Sequence, residues 1–103
     1  MKIGVIGTGL MGSAIAHRLI ERGFQVFLYN RTRGRAKTLV KMGAIQTEYP
    51  LELGRKCKFV IISVTDGYAV KEILFGENGL VNSKNRKLLV VDTSTVLPED
   101  SIY

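Results

Sequence analysis

The stretch that decides the fold is residues 2–23, which read KIGVIGTGLMGSAIAHRLIERG. Its opening, Lys2–Ile6, is β-rich and runs directly into the glycine cluster Gly7–Gly12, which has the spacing G-x-G-x-x-G. Over Leu10–Arg22 the apolar residues recur at helical spacing, and Gly23 stands where a helix C-terminal cap belongs. A strand, a glycine loop and a helix in this order are typical of a βαβ unit that binds a dinucleotide.

Outward from that unit, short β-rich runs alternate with helical patterns. Strands are predicted at Gln25–Tyr29, Ala44–Thr47, Phe59–Val64 and Leu88–Val91, and helices at Arg33–Met42, Pro50–Arg55 and Gly67–Phe75, with a loop over Gly76–Asn82. This alternation predicts an α/β fold with a doubly wound parallel sheet of Rossmann type. Because Pro98 opens a further helix after the fifth strand, we expect residues 1–103 to be one dinucleotide-binding domain, truncated there as a fragment of a longer enzyme.

Composition narrows the class of protein. The chain has 103 residues, of which 46% are apolar and 23% charged, and this balance indicates one globular domain. The formal net charge of +6 favours an anionic ligand, whether nucleic acid, membrane or phosphorylated cofactor. Glycines interrupt the apolar N-terminal run, so neither a signal peptide nor a membrane span is expected. The single cysteine, Cys57, predicts a buried small residue, no metal site and a cytoplasmic location.

Each glycine of the loop has a separate predicted role. Gly7 permits the tight turn, Gly9 lets the backbone approach a pyrophosphate, and Gly12 lets helix and strand pack closely. The first-turn amides and the helix dipole would then face the phosphate oxygens. The alternative is a glycine-rich turn without a ligand. The predicted cofactor-binding residues of this loop are Gly7, Thr8, Gly9, Leu10, Met11 and Gly12.

The end of the second strand predicts which dinucleotide is preferred. Domains that select NAD usually carry Asp or Glu there, whereas this chain has Asn30 followed by Arg31 and Thr32. Arg31 can form a charge-assisted fork with a 2′-phosphate, and Thr32 can add a hydroxyl donor. We therefore expect NADP, with NAD as the less favoured cofactor. Arg33 stays undecided between a phosphate contact and a solvated helix face, which is the interpretation preferred for the later cations Arg35, Lys37 and Lys41.

Three segments together resemble the β-hydroxyacid dehydrogenase family, which includes the 3-hydroxyisobutyrate and 6-phosphogluconate dehydrogenases and the glyoxylate/succinic semialdehyde reductases. The opening matches at Gly4–Gly12, Ala16, Leu19, Gly23, Val26 and Asn30–Thr32. Cys57–Asp66 is similar to the family's fourth strand and the loop after it. Asp92–Pro98, which reads DTSTVLP, matches the family segment D-x-S-T-x-x-P. The resemblance covers essentially the whole chain.

By this resemblance, Val64, Thr65 and Asp66 line the cofactor channel. Ser94 and Thr95 lie near the nicotinamide ribose and the substrate carboxylate. For Asp66, capping of the following helix is the preferred alternative. For Ser94 and Thr95, helix capping ahead of Pro98 is equally favoured and compatible.

The resemblance also implies what this chain lacks. The family's catalytic lysine segment, G-x-x-x-K-x-x-N, and its helical C-terminal domain are not found in this sequence. Lys71, Lys84 and Lys87 lie in the wrong context to replace that lysine, and His17 is predicted to be a surface residue of the first helix. The whole enzyme would transfer a hydride between nicotinamide and a short β-hydroxyacid or semialdehyde. The chain alone, with no catalytic residue of its own, is expected to bind cofactor without turnover.

Three other interpretations stay open. The opening also fits the cofactor domain of another NADP-dependent reductase, of the pyrroline-5-carboxylate or deazaflavin type, although the Asp92–Pro98 segment argues against both. A non-catalytic dinucleotide sensor is a second alternative. A nucleic-acid module is disfavoured because no aromatic residue interleaves the cations of Arg31–Lys41. We expect a small-molecule substrate and no nucleic-acid or membrane partner, with self-association through an exposed sheet edge as a further expectation.

Overall fold

The computed structural model describes residues 1–7, 9–30, 36–64 and 67–93. The strands are β1 (Lys2–Ile6), β2 (Gln25–Tyr29), β3 (Ile45–Gln46), β4 (Phe59–Ile62) and β5 (Leu89–Asp92). The helices are α1 (Leu10–Glu21), α2 (Lys37–Lys41), α3 (Pro50–Lys56) and α4 (Gly67–Phe75), with a 3₁₀ helix at Leu80–Ser83.

The strands form one parallel sheet in the order β3-β2-β1-β4-β5. The first strand therefore lies at the centre, and the order reverses on either side of it. This is the doubly wound arrangement predicted from the alternating pattern, and in such sheets the crevice beyond the carboxyl ends of the central strands receives the ligand.

Two apolar clusters cover the two faces of the sheet. On one face α3, α4 and the 3₁₀ helix pack over β1, β2 and β4; its buried members are Ile6, Phe27, Leu53, Cys57, Val60, Ile62, Val70, Ile73 and Leu80. On the other face α1 and the α2 region pack over β1 and β2; its buried members are Val5, Ala16, Val26, Leu28, Ala36, Leu39 and Ala44. Coverage from both sides explains why the central strands are continuously apolar rather than alternating.

Glycines end two of the helices as predicted. Gly23 has φ +87° after α1, and its amide donates to the Ile20 carbonyl. Gly43 has φ +112° after α2, with its amide donating to the Val40 carbonyl. Left-handed backbone of this kind costs a side-chain-bearing residue about 1 kcal/mol, so glycine is the residue that stops each helix and turns it into the next strand.

Some boundaries differ from the sequence expectation. β4 ends at Ile62 rather than Val64, and the 3₁₀ helix at Leu80–Ser83 lies partly inside the predicted loop. That loop is organised by Asn82, whose side-chain amide donates to the carbonyls of Gly76 and Glu77, at 3.0 and 2.8 Å. The predicted start of the second helix, at residues 33–35, lies outside the described residues. Over the described residues, none of the helices is long and apolar enough to span a membrane.

Candidate dinucleotide site

Four strands end level with one another at the carboxyl edge of the sheet. Ile6 of β1 is in register with Tyr29 of β2 and with Ile62 of β4, and Ile62 is in register with Asp92 of β5. The ladder continues one residue beyond each strand. The amide of Gly7 donates to the Tyr29 carbonyl at 2.9 Å, and that of Ser63 donates to the Ile6 carbonyl at 2.8 Å. The glycine loop is thus held between the ends of β2 and β4.

Both the backbone conformation and the lack of space for a side chain require glycine at position 7. Its φ is +95°, and a Cβ at this position would collide with the carbonyl oxygen of Ser63. The chain therefore turns out of the sheet in a conformation that L side chains rarely adopt, against the backbone at the end of β4. This turn places the start of α1 at the carboxyl edge of the sheet.

Gly12 and Gly9 differ in the space that a side chain would have. A Cβ on Gly12 would fall on the Gly7 carbonyl oxygen, so the first turn of α1 rests directly on the turn after β1. A Cβ on Gly9 would meet no atom of the described residues within 4 Å. The packing of the described residues explains glycine at position 12 but not at position 9. The open space in front of Gly9 is where a ligand can approach the backbone, which is the fit that a pyrophosphate group requires.

The N-terminus of α1 has no side-chain cap. Gly9 is the N-cap and has no side chain to accept from the first-turn amides, and the first turn holds no acidic residue. The first intrahelical bond runs from the Ser13 amide to the Gly9 carbonyl at 2.8 Å. Leu10 and Met11 are exposed, at 94% and 51% of their surface. A helix of 12 residues with no side-chain hydrogen bond from its N-cap to the first turn is suited to an anion.

Asn30 lies at the end of β2, beside the glycine loop. It is half-buried and directly follows Tyr29, whose carbonyl receives the Gly7 amide. An uncharged carboxamide therefore occupies the position at which NAD-selecting domains carry the carboxylate that accepts from the ribose 2′-hydroxyl. Val64, on the other side of the loop, is half-buried and packs against the α4-side cluster. The remaining predicted site residues, Thr8, Arg31, Thr32, Thr65, Asp66, Ser94 and Thr95, lie outside the described residues.

Two residues of this edge were not predicted from the sequence. Ser63 supplies the carbonyl that faces Gly7, and its Cβ would lie 3.5 Å from a Cβ on Gly12. Thr93 continues the ladder: its amide and its hydroxyl both donate to the Ile62 carbonyl, at 2.8 and 3.0 Å. The available signal was Ser63 itself, a small polar residue that interrupts the apolar run of the fourth strand just where it reaches the edge.

Two residues that the sequence did not assign to the site, His17 and Cys57, lie away from this edge. His17 is exposed on α1 and its Nδ1 is 3.3 Å from Glu21 Oε1, one turn further along the helix, which confirms the surface prediction. Cys57 is buried, as predicted. Burial raises the pKa of its thiol to about 11, and the charges of Lys2 and Lys56 oppose that shift only in part. Cys57 is therefore an inert core thiol at neutral pH.

A parallel doubly wound sheet with a glycine turn that leads into an uncapped helix at its switch point defines a dinucleotide-binding domain. The chain belongs to the family described as the NAD binding domain of 6-phosphogluconate dehydrogenase, whose model matches residues 2–103. The family resemblance stated from the sequence is thereby confirmed. It favours this interpretation over the other two reductase families considered.

Relatives and solved structures agree with this assignment. The chain is 34% identical over 102 residues to glyoxylate/succinic semialdehyde reductase 1 of Arabidopsis thaliana, covering 99% of this chain and 35% of the relative. It is 35% identical over 98 residues to the cytokine-like nuclear factor N-PAC of Xenopus tropicalis, covering 95% of this chain and 18% of the relative. The structure of Psf3 in complex with NADP+ and 2-OPP superimposes with a TM-score of 0.81 at 30% identity, covering 96% of this chain and 35% of that one. The chain spans about a third of the length of its reductase relative.

Proposed function

We propose that the carboxyl edge binds NADP(H) through the turn Gly7–Gly12. The observation that carries this proposal is the contrast within the turn. Gly7 and Gly12 are glycines because protein backbone fills the space of a side chain, whereas no atom of the described residues occupies that space at Gly9, the N-cap of α1. An anionic diphosphate fits that space in charge, and the backbone N–H groups fit it as donors.

The preference for NADP over NAD rests on the end of β2. Asn30 brings no negative charge to this position, so a 2′-phosphate would meet no repulsion there. In the sequence Arg31 and Thr32 follow at once, and their proposed roles are a guanidinium fork and a hydroxyl donor to that phosphate. A charge-assisted hydrogen bond contributes about 1.5–3 kcal/mol, so one Arg–phosphate contact would change selectivity by roughly 10- to 100-fold.

Calorimetric titration with NADPH and NADH tests this preference. Wild type is expected to bind NADPH at least about tenfold more tightly, Arg31→Ala to erase most of that difference, and Asn30→Asp to weaken NADPH in particular. Lys37→Ala is the matched control because Lys37 is an exposed cation of α2. Equal affinity of wild type for the two dinucleotides, or an equal effect of the Lys37 control, would contradict the assigned 2′-phosphate site.

For the whole protein we propose an oxidoreductase of the β-hydroxyacid dehydrogenase type. The support is the family membership and the similarity to a relative named for glyoxylate and succinic semialdehyde. When bound, the dinucleotide supplies or accepts a hydride. Ser94 and Thr95, which follow Thr93 in the sequence, are proposed to hold the substrate carboxylate and the nicotinamide ribose. The chain's own contribution is binding and orientation of the cofactor.

The chain by itself is proposed to bind cofactor without turnover. None of its lysines stands in the family's catalytic segment, so it has no group to move the hydroxyl proton. The test is NADPH oxidation with glyoxylate or succinic semialdehyde, followed by absorbance at saturating cofactor. The expected result is a rate equal to that without protein. Measurable turnover by the purified chain would contradict the assignment of proton transfer to a residue outside it.

A second candidate is a non-catalytic dinucleotide sensor. One observation favours it: the same domain sequence is 35% identical to part of a relative named as a nuclear factor rather than as a reductase. The two candidates share the binding site and differ in what binding causes. In a sensor, addition of NADPH would change how tightly the protein associates with a partner. In an enzyme domain, bound NADPH would serve the reaction with a substrate, and no change in association is required.

A further inference from the structure

Four neighbouring strands of the sheet begin beside an exposed cation. Because the strands are parallel, β2, β1, β4 and β5 all start at the amino edge, opposite the proposed dinucleotide site. Lys2 is the first residue of β1, and Lys58 directly precedes β4. Arg22 and Lys87 lie shortly before β2 and β5. All four are exposed, and together they form what we call the amino-edge row.

Hydrogen bonds hold the three lysines of the row in place. The Lys58 amide donates to the Lys2 carbonyl at 3.4 Å, and the Leu89 amide donates to the Lys58 carbonyl at 3.0 Å. Asn85 holds the approach to β5: its side-chain amide donates to the C-cap carbonyl of α3 at 3.2 Å, and its side-chain oxygen accepts from the Lys87 amide at 3.2 Å. The backbone of the row is therefore fixed by the sheet.

The charge of the row is not neutralised by the described part of the chain. The carboxylate next to Arg22 in sequence is Glu21, and its Oε1 is 3.3 Å from His17 Nδ1. Asp92 ends β5 at the opposite edge of the sheet. None of the four cations lies within ion-pair distance of a carboxylate of the described residues. The row thus presents a line of uncompensated positive charge.

The proposed cofactor site does not account for this charge. β1 has five residues, so its two ends lie about 13 Å apart at a rise of roughly 3.3 Å per residue. The Debye length at physiological salt is about 8 Å. The row therefore cannot contact a dinucleotide at the carboxyl edge, and its charge is largely screened there. A surface of this kind attracts a second anion.

The spacing of the row distinguishes between polyanions. Neighbouring strands lie about 4.8 Å apart, so the four strand starts span roughly 14 Å with a cation at each interval. A nucleic-acid strand carries one phosphate per nucleotide, about 3.4 Å apart along a duplex and further apart when a single strand is extended. Side chains on one face of an extended acidic peptide recur only about every 6.8 Å. An extended single strand can therefore pair each cation with its own phosphate.

We propose that the amino-edge row binds the phosphodiester backbone of a single-stranded nucleic acid, independently of base sequence. Contacts to phosphate carry no sequence information, and the row consists of cations alone. The sequence expectation of no nucleic-acid partner rests on the contiguous segment Arg31–Lys41. The row comes instead from four segments separated in sequence, which only the sheet brings together.

Fluorescence anisotropy with a labelled oligothymidine of about 12 nucleotides tests this binding without any dinucleotide present. Wild type is expected to bind with a Kd of about 10–100 µM at about 50 mM salt. The logarithm of the affinity should fall with the logarithm of the salt concentration with a slope of about −3, since each of four neutralised phosphates contributes about −0.7.

Two triple variants of equal net charge separate the row from the overall charge of the protein. Lys2→Gln with Lys58→Gln and Lys87→Gln should bind at least about tenfold more weakly, with a slope nearer to about −1. The matched control carries Lys37→Gln, Lys41→Gln and Lys71→Gln on exposed helix positions, and its affinity should change by less than about twofold. Circular dichroism of both variants establishes that they are folded.

Three outcomes would overturn the proposal. The first is no binding of the oligonucleotide by folded wild type at low salt. The second is an equal loss of affinity in the two triple variants, because net charge rather than the row would then be responsible. The third is tighter binding of a glutamate peptide of equal charge, which would assign the row to an acidic protein segment. Because no dinucleotide is used, failure here is distinguishable from failure of cofactor binding.

Discussion

β1 and β5 are parallel strands of one sheet, with similar apolar sequences and very different surroundings. β1 lies between two strands and two helical layers, and its residues after Lys2 are all buried. β5 has one neighbouring strand among those described, and Leu89 and Val91 are exposed, at 56% and 37%. The comparison shows that an apolar run predicts a strand in both cases, while burial depends on what the rest of the chain places around it.

Gly12→Val should produce the largest effect, because it attacks the packing at the end of β1. A side chain there would occupy the position of the Gly7 carbonyl oxygen, so the turn or α1 must move. We expect loss of the folded state at room temperature, or destabilisation by more than about 3 kcal/mol. Urea unfolding followed by circular dichroism measures it. Stability close to wild type would show that α1 does not rest on the glycine turn.

The same substitution in both strands sharpens the comparison directly. Val5→Ala removes two methyl groups from a fully buried site of β1 and should cost about 2.5 kcal/mol. Val91→Ala removes the same groups from an exposed site of β5 and should change stability by less than about 0.5 kcal/mol. Urea unfolding of the pair gives both values. Equal costs would mean that β5 is buried in solution by a segment or a second copy.

A smaller effect concerns the amino end of the central strands, where Cys57 lies close to Lys2. The pKa of the folded thiol is about 11, against 9.0 for an ordinary thiol. The unfolded chain therefore loses its proton first, and stability falls as pH rises from about 9 to 11. The loss should approach about 2 kcal/mol at about pH 11, since one pKa unit corresponds to 1.36 kcal/mol.

Cys57→Ala is the control for that pH dependence, because other groups also titrate above pH 9. The difference in free energy of unfolding between wild type and Cys57→Ala should narrow by about 2 kcal/mol as pH rises from about 9 to 11. A constant difference would mean that the thiol ionises equally in both states. Slow reaction of wild type with a thiol reagent at neutral pH would be consistent with the buried position.

Most of the fold was predictable because it follows local patterns. The glycine spacing, the helical periodicity of α1 and the caps at Gly23 and Gly43 each predict their element from a few neighbouring residues. The 3₁₀ helix was missed because its loop is organised by Asn82, whose side chain bonds to carbonyls five and six residues away. No periodic pattern records such a bond.

The site was predictable to the extent that its residues lie next to strand ends. Gly7, Gly12 and Asn30 follow directly from strand boundaries. Ser63 did not, because its role depends on β4 lying beside β1, a pairing between segments more than fifty residues apart. The spacing already predicted a separate role for each of the three glycines, and the structure adds the physical reason: among the described residues, backbone fills the space of a side chain at Gly7 and Gly12 but not at Gly9.

The central claim is that the turn after β1 binds a dinucleotide, and Gly9→Val tests it most directly. The described residues place no atom within 4 Å of a Cβ at Gly9, and the backbone there has an ordinary φ of −68°, so the domain should remain folded. It should nevertheless block the approach of the pyrophosphate. Calorimetric titration with NADPH is predicted to show binding by wild type and at least about a hundredfold weaker binding by the folded variant. Equal affinity of the two proteins for NADPH would contradict the account.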